Sequence, residues 1–190
     1  GGWPGSNPKD MAFFEAVKGM KFKNTKIAAF GSTRRAKVPV ENDINIQKLL
    51  EAEVPVTTVF GKTWLLHVNE ALRISPDKNL ELIADSCSYL KDNGREVIFD
   101  AEHFFDGYKD DPAYALASIM SAAKAGASTI VLCDTNGGTL CSDVMKICSA
   151  VRKALPEDTR LGIHCHNDSG LAVANALLGI EHGECLPAMP

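Results

Sequence analysis

The segment Leu161-Gly162-Ile163-His164-Cys165-His166-Asn167-Asp168-Ser169-Gly170 holds the densest chemistry in this chain. His164 and His166 stand two apart. On a strand they point to one face, with Cα atoms ~6.5–7 Å apart. That spacing lets both imidazoles reach one divalent cation. The alternative is two polar residues leaving a strand with no metal. Cys165 points the opposite way, toward a helix layer. Asn167 and Asp168 can orient the imidazoles, or cap a helix starting near Ser169.

A second segment, Phe99-Asp100-Ala101-Glu102-His103-Phe104-Phe105-Asp106-Gly107, ends another strand. Asp100 and Glu102 alternate onto one face, with Ala101 and His103 on the other. A carboxylate aimed into a barrel mouth is a candidate general base or supporting group. The alternative is a solvated loop with a helix cap at its end. In the third segment, Leu132-Cys133-Asp134-Thr135-Asn136-Gly137-Gly138-Thr139, the glycines permit a tight turn close to a ligand. Thr135 offers a hydroxyl and backbone donors suited to a carboxylate. An ordinary strand–helix loop explains the same residues.

Two further loops carry weaker signals. Lys62, in Phe60-Gly61-Lys62-Thr63-Trp64, is a candidate anion contact. The basic run Gly31-Ser32-Thr33-Arg34-Arg35-Ala36-Lys37 suits a nucleotide phosphate or, more simply, solvent. His67 falls in a helical stretch and reads as structural.

These loops need a scaffold of alternating strands and helices. Short β-rich runs occur at Thr25–Phe30, Val54–Phe60, Glu96–Asp100, Thr129–Cys133 and Arg160–His164. Helical spacing covers Pro8–Met20, Asn42–Ala52, Ser75–Asp92, Asp111–Lys124, Ser142–Leu155 and Ser169–Glu181. Ser75-Pro76 and Asp111-Pro112 pair an N-cap with proline at the first helical position. Strand starts recur at roughly the length of a βαβ unit. Thr129–Cys133 is apolar on both faces, as a parallel strand under helices should be. No dinucleotide or P-loop glycine pattern follows any strand. The fold expected is α/β: an open parallel sheet, or part of a (β/α)8 barrel, whose sites lie at the carboxyl ends of the strands.

The chain has 190 residues, 45% of them apolar and 23% charged, with net charge −4. That excludes a disordered chain and gives no reason to expect nucleic-acid binding. No apolar run approaches the ~18 residues of a membrane span. The first residues lack the pattern of a signal peptide. The six cysteines show no CxxC spacing and read as reduced thiols of a cytoplasmic protein. A complete eight-unit barrel typically takes ~250 residues, so 190 is short for one.

Taken together, the three segments resemble the metal-dependent Claisen-condensing barrel enzymes. That family includes the 2-isopropylmalate, homocitrate and citramalate synthases, with 3-hydroxy-3-methylglutaryl-CoA lyase as a relative. Its second signature is an aliphatic residue, HxH, [DN]-D-x-G and alternating small residues. Leu161 through Ala174 fits it, with Ala172 and Ala174 as the small residues. Phe99–Tyr108, Leu132–Gly138, Lys62 and Trp64 look most like the citramalate branch.

The resemblance implies a partial (β/α)8 barrel, roughly its strands three to seven, with residues 1–190 as one incomplete catalytic domain. It implies an acyltransferase of leucine or isoleucine biosynthesis, condensing acetyl-CoA with a 2-oxo acid on a divalent cation (Mg, Mn or Zn). Pyruvate is the first choice of 2-oxo acid and 2-oxoisovalerate the second. His164 and His166 would ligate the metal, Thr135 would hold the substrate carboxylate and Glu102 would act as base. Asp100 and Lys62 would contact substrate, with Asn167 and Asp168 behind the ligands. The family's first motif, Asp-x-x-Leu-Arg-Asp-Gly, is absent. The expectation is therefore a truncated chain that binds metal weakly and turns over poorly alone. Its open strand edges favour a homo-oligomer. A carbon–carbon lyase of the same superfamily and a non-catalytic, oligomerising partial barrel are the alternatives.

Overall fold

A computed structural model describes residues 2–183, 186 and 187. The chain runs α1 (Pro8–Val17), β1 (Ala28–Ser32), α2 (Ile44–Glu51), β2 (Val56–Lys62), α3 (Pro76–Asp92) and β3 (Glu96–Glu102). It continues through α4 (Phe104–Asp110), α5 (Pro112–Lys124), β4 (Thr129–Asp134), α6 (Cys141–Ala154), β5 (Arg160–Cys165), α7 (Ala172–Gly183) and β6 (Leu186–Pro187). All the strands are parallel and lie side by side in chain order. The five expected strands are present, and a two-residue sixth pairs with β5 at Gly162 and Ile163.

Strand periodicity divides the sheet into two chemistries. One face is turned to the helices. It carries Ala29, Val59, Val97, Phe99, Ala101, Ile130, Leu132, Leu161 and Ile163, all fully or almost fully buried. Leu49, Ile83, Leu90, Ile119, Cys148 and Val151 meet them from the helices in one continuous core. The opposite, inner face begins with an aromatic group. Trp3 packs edge-on to Phe30 and Phe60, at centroid distances of 6.1 and 5.7 Å, and Phe30 stacks on Phe60 at 5.5 Å. Gly2 O accepts the Phe30 amide at 3.0 Å, so the first residues lie along the outer edge of β1. Among the described residues no helix is long and apolar enough to cross a membrane.

Capping residues set most helix starts. Ser75 Oγ accepts from Lys78 N, and Asp111 Oδ1 from Tyr114 N. Several boundaries differ from the sequence reading, α1 ending at Val17 rather than Met20 among them. The first strand begins at Ala28 rather than Thr25, and Lys26, just before it, pairs with Glu96 at the start of β3. α7 begins at Ala172, not Ser169. Ser169 is held by Gly137 O, and Gly170 takes φ +74°, so the chain must turn before a helix can form. Phe104–Asp110, read as a loop, is the helix α4. It starts directly after His103, which takes the left-handed φ of 55°. Gly107 makes α4 possible: a Cβ there would sit 2.5 Å from Thr63 O.

The inner edge of this core rests on Phe99, whose ring lies where a Gly61 side chain would be. Truncating a fully buried phenylalanine costs about 3–5 kcal/mol. Phe99→Ala should lose stability of that order in urea denaturation while leaving the far-UV signature of an α/β fold.

Candidate active site at the carboxyl ends of the strands

The polar residues of the inner face rise to the carboxyl ends of β2, β3, β4 and β5. Backbone register places Lys62 beside Glu102 and Cys133 beside His164, with Asp100 one inner-face step lower beside Val131. Lys62 Nζ pairs with Glu102 Oε2, both side chains being partly shielded from water. Thr63 Oγ1 donates to the Glu102 carbonyl at 2.8 Å, which anchors the backbone under that carboxylate.

Below them, burial raises the Asp100 carboxyl to about 6, and the Glu102 charge adds to the effect. Burial also pushes the Cys133 thiol well above its ordinary value. The His164 imidazole is held below its usual range by burial and by His166. The His164 and His166 rings stack at 5.1 Å with 21° between planes, so both lie on one side of β5. One ligand atom each from Asp100, Cys133 and His164 lie within 4.8 Å of one another. This set of oxygen, sulfur and nitrogen donors fits a divalent cation.

The loop after β4 is folded by Asp134, which is 1% exposed. Its carboxylate accepts Thr139 Oγ1 at 2.8 Å and Thr139 N at 3.2 Å. Its carbonyl accepts Gly137 N at 3.0 Å and His166 N at 3.2 Å. Asn175 Nδ2 of α7 donates to Thr139 O at 2.8 Å. Gly137 takes φ +62°, and a Cβ there would meet His166 O at 2.9 Å and Asp168 Oδ2 at 2.7 Å. The loop carrying Thr135 and the loop carrying His166 are thus one hydrogen-bonded piece. On its other side Thr135 Oγ1 accepts the His103 amide at 2.8 Å, and Asn136 Nδ2 donates to Asp106 at 3.0 Å.

The structure brings Asp100 and His164 together, with His166 stacked on His164 but outside that cluster, and separately pairs Lys62 with Glu102. Thr135 sits between the β3 and β5 loops. Asn167 takes the capping alternative: its Oδ1 accepts Ala172 N at 3.2 Å. Asp168 lies against Gly137.

Arg34 serves neither of the roles proposed for its loop. It is 6% exposed and clamped by Asp85 and Glu81, so it braces β1 against α3. His103 has left the strand and meets His67 edge-on at 4.4 Å, with Trp64 beside both. Two residues with evident roles were missed. Along the chain Cys133 reads as one more reduced thiol in an apolar run, although its two-residue spacing from Thr135 places it on the inner face. Asp134 carries no sequence mark of being buried. Cys87, Cys133 and Cys141 are free thiols.

The model of the HMGL-like family matches residues 4–185. The chain is 57% identical to (R)-citramalate synthase of Geobacter sulfurreducens, over 96% of this chain and 34% of that protein. It is 48% identical to (R)-citramalate synthase of Sulfolobus acidocaldarius, over 96% of this chain and 35% of that one. It is 30% identical to 2-isopropylmalate synthase of Oceanobacillus iheyensis, again over 96% of this chain and 34% of that protein. The chain therefore spans about a third of the length of these curated relatives. The crystal structure of HMG-CoA lyase from Bacillus subtilis superposes with TM-score 0.75 at 16% identity, covering 96% of this chain and 61% of that one. It shares the fold.

The raised Asp100 carboxyl makes a signed prediction. Its contribution to stability is full below the ordinary value of 3.8 and is lost as pH rises through about 6. Asp100→Asn should therefore stabilise the metal-free chain at pH 7.5, by at most about 3 kcal/mol. The difference should disappear near pH 4, as read from urea denaturation at both pH values in a chelating buffer.

Proposed function

The chain belongs to the HMGL-like family, and from that premise we propose that it forms part of the catalytic barrel domain of an acetyl-CoA-dependent acyltransferase. The acceptor is a 2-oxo acid, pyruvate before 2-oxoisovalerate, giving citramalate as product. One observation carries the reading. Residues far apart in sequence, Asp100 and His164, bring ligand atoms within 4.8 Å of each other on the inner face, beside the Lys62–Glu102 pair at the carboxyl ends of β2 and β3, in a chain 57% identical to a citramalate synthase.

His164 and His166 would hold the divalent cation. Bound there, it supplies Lewis acidity to the keto oxygen of the 2-oxo acid. The remaining work belongs to the chain. Thr135 Oγ1 already accepts from His103, so its own proton is available to the substrate carboxylate. Glu102 takes a proton from the acetyl methyl group, and the carbon electron pair forms the new bond to the keto carbon while the C=O π pair moves to the oxygen, which then takes a proton from solvent to become the product hydroxyl. Water then cleaves the thioester and releases coenzyme A. Lys62 balances the Glu102 charge before the proton arrives and is left as a cation beside neutral Glu102, placed to attract a substrate anion. Asp100, in the same wall, borders the acceptor. Asn167 fixes the turn that follows His166, and Asp168 closes the gap over Gly137. A cavity of about 280 Å³ beside Lys62, bordered by Arg35, Phe60 and Leu72, gives the acyl-CoA an approach.

The test uses the whole protein that contains this chain. With acetyl-CoA, pyruvate and Mg or Mn it should release free thiol and form citramalate. Glu102→Gln should lower kcat by about 10²–10⁴-fold with little change in fold. His164→Ala should abolish turnover, and chelation should stop the parent enzyme reversibly. A whole protein that releases no thiol with any 2-oxo acid would overturn the proposal.

A further inference from the structure

We propose that His103 is the positioning residue for Thr135. Its left-handed backbone and enclosed ring fix the threonine hydroxyl as a donor, and so set the preference of the site for an acceptor that carries a carboxylate anion. The inference deepens the carboxylate reading of Thr135 above and rests on it.

His103 takes φ 55° and ψ 32°, a region uncommon for a residue with a side chain, though open to histidine and asparagine. Its surroundings hold it there. The ring meets His67 edge-on at 4.4 Å and lies 5.9 Å from Trp64. Burial and His103 keep His67 below its ordinary range, so His67 packs as a neutral ring. His103 Nδ1 stands 3.5 Å from Asp106 Oδ2, which also accepts Asn136 Nδ2 at 3.0 Å. The His103 ring is thereby tied to the residue that follows Thr135.

This turn decides where one amide points. Pairing of β3 with β4 ends at Ala101, opposite Leu132. Two residues further on, the His103 N–H crosses to a side chain, Thr135 Oγ1, at 2.8 Å. A threonine hydroxyl donates once and accepts through two lone pairs. With one lone pair held by the amide, the hydroxyl proton has to point away from β3. An ionised carboxylate only accepts, so a hydroxyl fixed as donor suits that anion. The backbone dihedral of His103 thus sets the polarity of a side chain 32 residues away.

The test uses the whole protein that contains this chain, with steady-state thiol release as the readout. His103→Val has a branched Cβ that disfavours the left-handed region. It should raise KM for pyruvate at least about tenfold, the size of a lost hydrogen bond to a charged group. KM for acetyl-CoA and kcat should stay within about threefold, the pattern of lost ground-state binding. His103→Asn tolerates the left-handed region and still offers Asp106 a donor, so KM for pyruvate should return to within about threefold of the parent value. Thr135→Val should raise the same KM, and His103→Val added to it should cost little more, because both act through one hydroxyl. Additive effects, equal rises in both KM values, or a His103→Asn variant as weak as His103→Val would overturn the positioning role. A rise with Thr135→Val but none with His103→Val would overturn it too, and leave the carboxylate reading standing. No rise with Thr135→Val would overturn both. Amide exchange needs no His103 variant to fold. The His103 N–H should exchange at least about tenfold faster in Thr135→Val than in the parent, and equal rates would overturn the proposal.

Discussion

Everything in this molecule depends on the two-residue alternation being kept in register across adjacent parallel strands. Phe99 and Asp100 are neighbours in the chain, yet one is sealed among helices and the other faces the polar mouth. Ile163 and His164 divide in the same way. A slip of one residue in any strand would drive carboxylates and imidazoles into the helix layer and turn phenylalanine to water. Helix packing and site chemistry therefore enforce the same register, because each rejects the other's residues. The core does not merely support the site; it selects which side chains reach it.

Within the site, desolvation and charge pairing work against each other over a short distance. Asp100 is buried without a cation, so its neutral form is favoured. Glu102, one inner-face step higher and nearer to water, stands against Lys62. Two carboxylates on one strand thereby meet different environments, one shielded from water and one paired with a lysine. The same burial that raises Asp100 also holds His164 toward its neutral form, the form an imidazole needs to donate its lone pair.

Much of this was legible in the sequence, and the reasons differ from residue to residue. Ser75-Pro76 and Asp111-Pro112 are local signals with local causes, and both helices start where those residues say. His164 and His166 needed only the strand period. Three features were not legible. α4 follows a left-handed histidine and depends on Gly107 lying against Thr63, a contact between segments far apart in the chain. Arg34 looked like a surface cation because its acidic partners Asp85 and Glu81 come from a later helix. Cys133 looked like core because a thiol in an apolar run reads the same whichever face it takes. In each case the missing information was tertiary, and pattern reading along the chain does not contain it.

The tie between the β4 and β5 loops changes how the mouth can move. His166 N and Ser169 bond to Asp134 and Gly137, while α7 reaches back through Asn175. Neither loop can swing outward without breaking hydrogen bonds that belong to the other. They share a single opening equilibrium, and its cost is that of the joint network rather than of the weaker loop. The β2 side of the mouth is tied separately: Lys62 ends the paired stretch of β2 and its carbonyl accepts from Asn79, while Trp64 Nε1 donates to Asp110, so opening there breaks none of the bonds that join the β4 and β5 loops.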